Sequence, residues 1–249
     1  MENQFFSLSC ILHAHVIATP DYNAGESWDR GWPQNLFLSP TSPLLSSMSF
    51  PKDFDVTKTP LVTFRRIDIL FSQEELIDIH RSIQPPGTKL EDDSLFGEQA
   101  VWTVPVAEYL SEFVAPLPLG NYKTMVVSTG GHWTTETFAK TSPNGIEGVL
   151  NLFEHAAKFW ADEVETQLKE HEYRPPSWIW ILGPFARKVM RRRVVVRAYL
   201  PGHEDCHSFR EPWKIVQPFK WNWWNWGEIW KFNVIFEVRF LNCCEFLKN

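Results

Sequence analysis

The stretch Lys123-Thr-Met-Val-Val-Ser128 decides the fold prediction, because Thr129-Gly-Gly-His-Trp133 follows it directly. Its largely apolar, β-branched centre is typical of a buried strand in a parallel sheet. Ligands of open α/β sheets bind beyond the carboxyl ends of the strands. The sequence therefore predicts a strand at 123–128 that brings a glycine pair, a histidine and a tryptophan to the rim of a sheet.

A second loop of the same kind follows a second predicted strand. Val194-Val-Val-Arg-Ala-Tyr-Leu200 is again apolar and β-branched, and it ends at Pro201-Gly-His-Glu-Asp-Cys-His207. Each loop places a histidine, His132 or His203, just past a buried strand. This shared feature favours a functional site, while a structural hydrogen-bonding role for His132 stays open as the alternative.

The glycines Gly130 and Gly131 suit a site that stabilises a developing negative charge. Glycine permits close approach of the backbone, and backbone N–H groups are the donors that an oxyanion needs. A metal site is the competing interpretation, because the second loop offers possible ligands. Their spacing matches no established zinc pattern, so we expect neither a metal nor another cofactor. Those possible ligands are His203, Asp205, Cys206 and His207.

Helices and strands alternate along the chain, which predicts an α/β fold with a mainly parallel sheet. The pattern Ser72-Gln-Glu-Glu75 is a capping box that begins a helix. Apolar residues at helical spacing predict a long helix from Asn144 to about Lys169. The other predicted elements are a helix at 3–17, a long loop with short extended pieces at 18–60, strands at 61–64 and 67–71, and helices at 104–113 and 228–236.

Composition limits the classes of partner. A chain of 249 residues that is 44% hydrophobic can bury a sizeable core, and its net charge of −6 argues against nucleic acid as a partner. Its thirteen tryptophans suit sugar binding, because the indole ring combines apolar area with an N–H donor. The segment Trp221-Asn-Trp-Trp-Asn-Trp226 is the candidate stacking surface, and packing in a core or interface is the alternative.

Cysteine spacing and hydropathy carry less information. Cys10 and Cys206 form either a disulfide or two buried thiols, and the sequence does not decide between them. The first twenty residues lack the pattern of a signal peptide. The longest apolar run, Trp178–Leu182, is far shorter than the roughly 20 residues that a spanning helix needs. We therefore expect no signal, anchor or membrane span in this chain.

Three blocks, in the same order along the chain, resemble the trichome birefringence-like and PC-esterase families. The stretch Glu2-Asn-Gln-Phe-Phe-Ser-Leu-Ser-Cys-Ile-Leu12 resembles the helix after their Gly-Asp-Ser nucleophile motif. Thr129-Gly-Gly-His-Trp133 is similar to their Asn-Thr-Gly-His-Trp-Trp block. Val196-Arg-Ala-Tyr-Leu-Pro-Gly-His203 is similar to their Phe-Arg-Thr-x-Ser-Pro-x-His block. The continuation to Phe236 resembles the fungal branch of this group.

The resemblance implies a three-layer α/β/α SGNH-hydrolase-like fold and a Ser-His-Asp acyl-transfer mechanism. It also implies a polysaccharide or glycan acceptor, an acetyl donor, and a location in the Golgi or endomembrane lumen. Arg197 would orient the substrate, and Trp133 would stack on a sugar or line the acetyl pocket. The residues implied to bind the substrate or an oxyanion are Asn3, Gly130, Gly131, His132, Trp133, Arg197 and His203. The alternative role of Asn3 is the N-cap of a helix.

The chain departs from the family at both ends. The Gly-Asp-Ser motif is expected just before Met1 and the Asp-x-x-His motif well after Phe236, so the nucleophile and the base are missing. The prediction is an incomplete SGNH-like domain at 1–236 followed by an unrelated tail at 237–249, with a gene model cut at both ends and no activity as written. A glycan-binding protein without catalysis is the alternative, and a product that does not fold stably is the third hypothesis.

Overall fold

The computed structural model describes residues 7–8, 11–12, 15–19, 33–88, 95–98, 101, 103–141, 143–171, 192–200, 211, 214–215 and 223–243. The strands among them are β1 (Val16–Thr19), β2 (Gln34–Leu38), β3 (Pro60–Phe64), β4 (Thr124–Val127) and β5 (Arg193–Val196). The α-helices are α1 (Gln73–Ser82), α2 (Val106–Val114), α3 (Ile146–Glu170) and α4 (Ile229–Cys243). Short 3-10 helices occupy Pro43–Ser46 and Trp223–Glu228.

The chain forms two compact units, each built from three segments. Unit 1 comprises Met1–Ile67, Ala107–Met125 and Gln167–Arg193. Unit 2 comprises Asp68–Val106, Val126–Thr166 and Val194–Asn249. The loop at 129–133 lies in unit 2, whereas the loop at 201–207 lies outside the described residues.

Unit 1 contains an antiparallel sheet in the order β1-β2-β3. Val16 of β1 pairs with Leu38 of β2, and Gln34 of β2 pairs with Phe64 of β3. Val16 and Leu36 are buried together, and partly buried apolar side chains pack against them. The sheet therefore has an apolar face of its own, completed by Leu8, Leu12, Val62 and Phe64.

One sequence prediction fails in part in this sheet. The helix predicted at 3–17 extends too far along the chain, because Val16 and Ile17 lie in β1. Ser7, Leu8 and Ile11 are helical, as predicted. Pairing with β2 satisfies the backbone groups of two β-branched residues that a helix accommodates less well. The stretch at 18–60, predicted as a long loop with short extended pieces, contains the five-residue strand β2, and the strand predicted at 61–64 is confirmed as β3.

The parallel pair β4–β5 forms a second sheet. The Arg193 N–H donates to the Lys123 carbonyl at 3.0 Å, and the Arg197 N–H donates to the Val127 carbonyl at 2.8 Å. From the first of these hydrogen bonds to the second, both strands advance by four residues in the same direction, as parallel strands do. Both predicted strands are thus confirmed, the second ending at Val196 rather than at residue 200.

Burial of these two strands differs from the prediction. Val127 and Val194 are buried, but Val126 is 49% exposed and Val195 is 43% exposed. Alternate residues of a strand point to opposite faces, so one face of the pair is accessible to solvent. The chain therefore mixes helices with a small parallel sheet, as an α/β fold does, but without the burial on both faces that parallel sheets usually have.

The helices of unit 2 follow the sequence signals closely. The Ser72 Oγ accepts from the Glu75 N–H at 3.1 Å, and the Glu75 carboxylate accepts from the Ser72 N–H at 2.7 Å, which confirms the capping box of α1. The same carboxylate accepts from the Val106 N–H at 3.1 Å, where α2 begins. A single glutamate therefore satisfies backbone donors at the starts of two helices.

Helix α3 supplies the core of unit 2. Its buried face presents Phe153 and Trp160 to α4, where Phe232 and Phe236 lie at ring-centroid distances of 5.0 to 5.6 Å. The face is buried because apolar side chains recur every three to four residues. The buried residues of α3 are Gly148, Val149, Leu150, Leu152, Phe153, Ala156, Ala157, Trp160, Ala161 and Val164.

Two other element predictions have clear outcomes. The strand predicted at 67–71 is wrong, because this stretch makes a single parallel bridge, from Ile69 to Thr103. The helix predicted at 228–236 is confirmed, but α4 continues without a break to Cys243. Helix α4 therefore extends past Phe236, the last residue of the predicted incomplete domain.

Candidate functional site

The loop after β4 is a tight turn built on a tryptophan. The Trp133 N–H donates to the Gly130 carbonyl at 3.2 Å, and the indole Nε1–H of Trp133 donates to Thr129 Oγ1 at 3.2 Å. The tryptophan is 0% exposed. Its ring packs against Phe71, Phe138 and Phe153, with centroid distances of 6.1, 4.9 and 4.7 Å. The turn is thus anchored in the aromatic core of unit 2.

A buried aspartate holds the same turn. His132 Nε2 lies 3.3 Å from Asp68 Oδ1, and only 3% of the Asp68 side chain is exposed, against 18% for His132. Thr129 Oγ1 also donates to the Asp68 carbonyl oxygen at 3.5 Å. A buried carboxylate needs a charged or hydrogen-bonding partner, and His132 is placed to be one. The Nδ1 atom of His132 is shielded from solvent as well.

The loop after β5 packs directly onto the two glycines. A Cβ on Gly131 would lie 2.4 Å from the Tyr199 hydroxyl oxygen, and one on Gly130 would lie 3.2 Å from Tyr199 Cβ and 3.1 Å from Ile229 Cδ1. Gly130 also has a φ of 141°, which side chains rarely adopt. Both glycines are therefore required for the close approach of the two loops.

Two asparagines hold these loops from the C-terminal segment. Asn233 of α4 accepts the Tyr199 N–H at 2.8 Å and donates its Nδ2–H to the Tyr199 carbonyl at 2.9 Å. Asn225 Oδ1 accepts the Thr135 N–H at 3.0 Å. The ring of Trp226 stacks on the ring of Tyr199, with centroids 5.9 Å apart and planes at 12°. The segment from 225 to 233 thus supports both loops of the candidate site.

Arg197 lies between strand and loop. It directly follows β5, its N–H extends the pairing with β4, and its side chain is exposed to solvent. An arginine presents five N–H donors in a planar fork that matches carboxylates, phosphates and paired hydroxyls. Its position at the carboxyl end of a parallel strand is where ligands of α/β folds bind.

The structure brings together five of the predicted site residues and leaves two undetermined. The carboxyl ends of β4 and β5 lie side by side, and the loop that carries Gly130 and Gly131 contacts the loop that follows Arg197. Asn3 and His203 lie outside the described residues, as do Cys10 and Cys206. The turn after β4 thus contacts Tyr199, just past the end of β5, while the predicted second loop, residues 201–207, lies outside the described residues.

The burial of Trp133 bears on one of its two expected roles, stacking on a sugar, and leaves the other, lining the acetyl pocket, a prediction. A ring that stacks on a sugar needs an open face, whereas the Trp133 ring is covered on all sides by protein. The burial arises because Phe71, Phe138 and Phe153 pack around it. The structure therefore places Trp133 behind the turn, where it supports its neighbour His132.

Sequence reasoning missed four polar or aromatic residues of this site. Asp68 lies in an apolar run that predicts a strand. A single carboxylate between isoleucines and a leucine is the only sequence feature that points to a special role for this residue. The other three contact partners far along the chain, and no local pattern identifies them. They are Tyr199, Asn225 and Asn233.

Two kinds of feature are absent from the described part of the chain. Among those residues, no helix is long and apolar enough to cross a membrane. Within the same ranges, no group of three or more histidine, cysteine, aspartate or glutamate side chains is arranged to bind a metal ion. The candidate site is therefore described by its hydrogen-bonding and aromatic groups.

Comparison with known proteins gives no match. The chain matches no protein-family model, no curated protein and no solved structure.

Proposed function

We propose that this chain is a homologue of carbohydrate O-acetyltransferases and acetylesterases, and that unit 2 carries the part of the site that receives an acetylated glycan. The supporting observation is the contact between the two strand-end loops, Gly130-Gly131 against Tyr199, beside the exposed Arg197. The three sequence blocks that resemble the family include both loops. We assign no nucleophile among the described residues.

The proposed binding surface consists of the rim around these loops. Arg197 donates to the sugar hydroxyls or the acetyl carbonyl, because its guanidinium is exposed at the end of β5. Gly130 and Gly131 are buried under Tyr199, so a developing oxyanion would reach their backbone N–H groups only after a movement of that ring. His132 and Trp133 support the turn from within.

The finer fold proposal is the three-layer α/β/α arrangement of SGNH-like proteins. Its support is the accessible face of β4–β5, which exposes Val126 and Val195. Parallel sheets are normally covered on both faces, so a layer of helices is expected over these two side chains. An experimental structure that leaves them in solvent, with no element over them, would remove this support.

The expected partners follow from the same resemblance. They are a polysaccharide or glycan acceptor and an acetyl donor, in the lumen of the Golgi or another endomembrane compartment. A tagged chain that accumulates outside the endomembrane system would argue against this location. It would not contradict the proposed glycan-binding site.

Calorimetric titration with acetylated xylo-oligosaccharides, and with the same oligosaccharides after alkaline deacetylation, tests the proposal. We expect tighter binding of the acetylated form. Arg197→Ala should weaken it about tenfold, the loss of one charge-assisted hydrogen bond of roughly 1.4 kcal/mol. Arg193→Ala is the matched control, since Arg193 is exposed on the same strand and donates to Thr124 Oγ1. Equal affinity for both oligosaccharides would contradict an acetyl-glycan site.

Glycan binding without catalysis is the second candidate function. It is favoured by Trp230, which is 59% exposed just after the tryptophan-rich segment, and by the Tyr199–Trp226 stack. Assaying acetate in the titration samples separates the two functions. Release or transfer of acetate supports the enzyme, whereas binding without turnover that is lost in Trp230→Ala supports the binding protein.

A further inference from the structure

We propose that Asp68 is a positioning residue of the candidate site, which keeps Nε2 of His132 protonated and thereby fixes the Gly130-Gly131 turn. The role of the turn in ligand binding rests on the proposed function, but the positioning itself does not.

Asp68 contacts the turn at both of its ends. Its carbonyl oxygen accepts from Thr129 Oγ1, and its carboxylate lies 3.3 Å from His132 Nε2. Residues 129 and 132 enclose the two glycines that pack on Tyr199. One residue from a different segment of unit 2 therefore contacts the turn on both sides of the glycine pair.

The burial of the pair makes the interaction strong and selective. With 3% of its side chain exposed, Asp68 has little access to water, so its charge is stabilised by neighbouring donors. An ionised carboxylate only accepts hydrogen bonds, so the ring nitrogen beside it must be the protonated one. Asp68 thus selects the form of His132 in which Nε2 carries a hydrogen.

This arrangement gives His132 a specific role. Since Nε2 is directed at Asp68 and Nδ1 is shielded from solvent, neither ring nitrogen is presented to a ligand at the rim. His132 therefore holds the turn in place and does not accept a proton from a substrate. Proton transfer in the proposed reaction belongs to another group.

Long-range ¹H–¹⁵N correlation of the imidazole nitrogens at pH 7 tests the assignment in the unaltered protein. We expect the ¹⁵N pattern of a ring protonated at Nε2. A ring protonated at Nδ1 alone, with Nε2 bare, would overturn the proposal, and this readout needs neither a ligand nor a variant.

Hydrogen exchange of the turn provides the second readout. Asp68→Asn should raise the exchange rates of the amides at 130–133 at least about tenfold. Asp78→Asn removes the same charge from an exposed position on α1 and should leave these rates unchanged. Unchanged exchange in Asp68→Asn would also overturn the proposal.

The two proposals fail separately. If the unaltered protein shows the expected imidazole pattern but binds no acetylated oligosaccharide, the proposed function is wrong and the positioning role stands. If it binds the acetylated form but Nε2 is bare, the positioning role alone is wrong. If both hold, Asp68→Asn should reduce the affinity for the acetylated oligosaccharide about tenfold, and Asp78→Asn should not.

Discussion

Unit 1 and unit 2 are stabilised by different kinds of side-chain contact. Beside the apolar face of its sheet, unit 1 has polar, directional contacts between distant segments. In unit 2 the described contacts between distant segments are dominated by packed aromatic rings. The polar contacts of unit 1 join Arg65 to Glu108 and Glu112, Thr63 to Asn35 and Tyr122, and Arg192 to Asn121 and the carbonyls of Val114 and His171. The rings of unit 2 are Phe71, Trp133, Phe138, Phe153, Trp160, Phe232 and Phe236.

The difference shows what each kind of contact requires. Hydrogen bonds in unit 1 need each donor to meet its acceptor, and a displaced partner leaves a group unsatisfied. Burial raises the pKa of Tyr122, against the opposing hydrogen bond with Thr63, and the Glu112 carboxylate adds to the increase, so this hydroxyl stays protonated as a hydrogen-bond partner. Aromatic packing in unit 2 requires volume, and it fails when a ring is removed.

The largest effect is expected from Trp133→Ala in unit 2. Loss of a fully buried ring should reduce the free energy of unfolding by about 3–5 kcal/mol, because a cavity replaces its contacts with three phenylalanines. Urea denaturation followed by circular dichroism measures the change. Trp230→Ala, at a position that is 59% exposed, is the control and should cost less than about 1 kcal/mol. Similar losses in both variants would show that unit 2 does not depend on this ring.

Arg65→Ala tests the polar contacts of unit 1. The Arg65 side chain is 11% exposed, and it donates to Glu112 at 2.8 Å and to Glu108 at 3.0 Å. We expect a loss of about 1.5–3 kcal/mol, as for hydrogen bonds to charged groups, and faster amide exchange in β3. Lys58→Ala is the control, since Lys58 is 66% exposed and forms a local ion pair with Asp55. If Arg65→Ala costs no more than its control, the polar contacts of unit 1 contribute little.

The smallest effect is expected from a change of pH, and it concerns His80 in unit 2. Burial lowers the pKa of His80 below its usual 6.5, so the unfolded chain binds a proton more readily than the folded one. Stability should therefore be complete above about pH 6.5 and decrease as the pH falls towards the lowered folded value. Urea midpoints at pH 7.5 and 5.5 measure the decrease. His80→Gln should reduce it, whereas His155→Gln, at an exposed position, should not.

The parts of the fold that the sequence predicts are those with a local physical cause. The capping box of α1 uses residues three apart, and the buried face of α3 repeats every three to four residues. The strands β4 and β5 have runs of β-branched residues. Each of these patterns lies within one element, so a single stretch of chain contains the whole signal.

The missed parts depend on partners that are distant along the chain. Strand β2 has no run of β-branched residues, and its pairing with β1 and β3 defines it. Asn225 contacts Thr135, and Asn233 contacts Tyr199, across separations of 90 and 34 residues. Glycine and histidine after a strand point to the candidate turn, but the carboxylate that holds it comes from a segment sixty residues earlier.

The carboxamide of Asn233 restricts which substitutions this position tolerates. It mimics a peptide group by accepting from one backbone N–H and donating to the carbonyl of the same residue, as a neighbouring strand does. Aspartate keeps the acceptor and loses the donor, leucine loses both, and glutamine keeps both on a longer stem. Spontaneous deamidation, which converts asparagine to an acid, would therefore break one of the two bonds and place a negative charge beside the Tyr199 carbonyl. Deamidation of this one side chain would thus directly alter a contact of the candidate site.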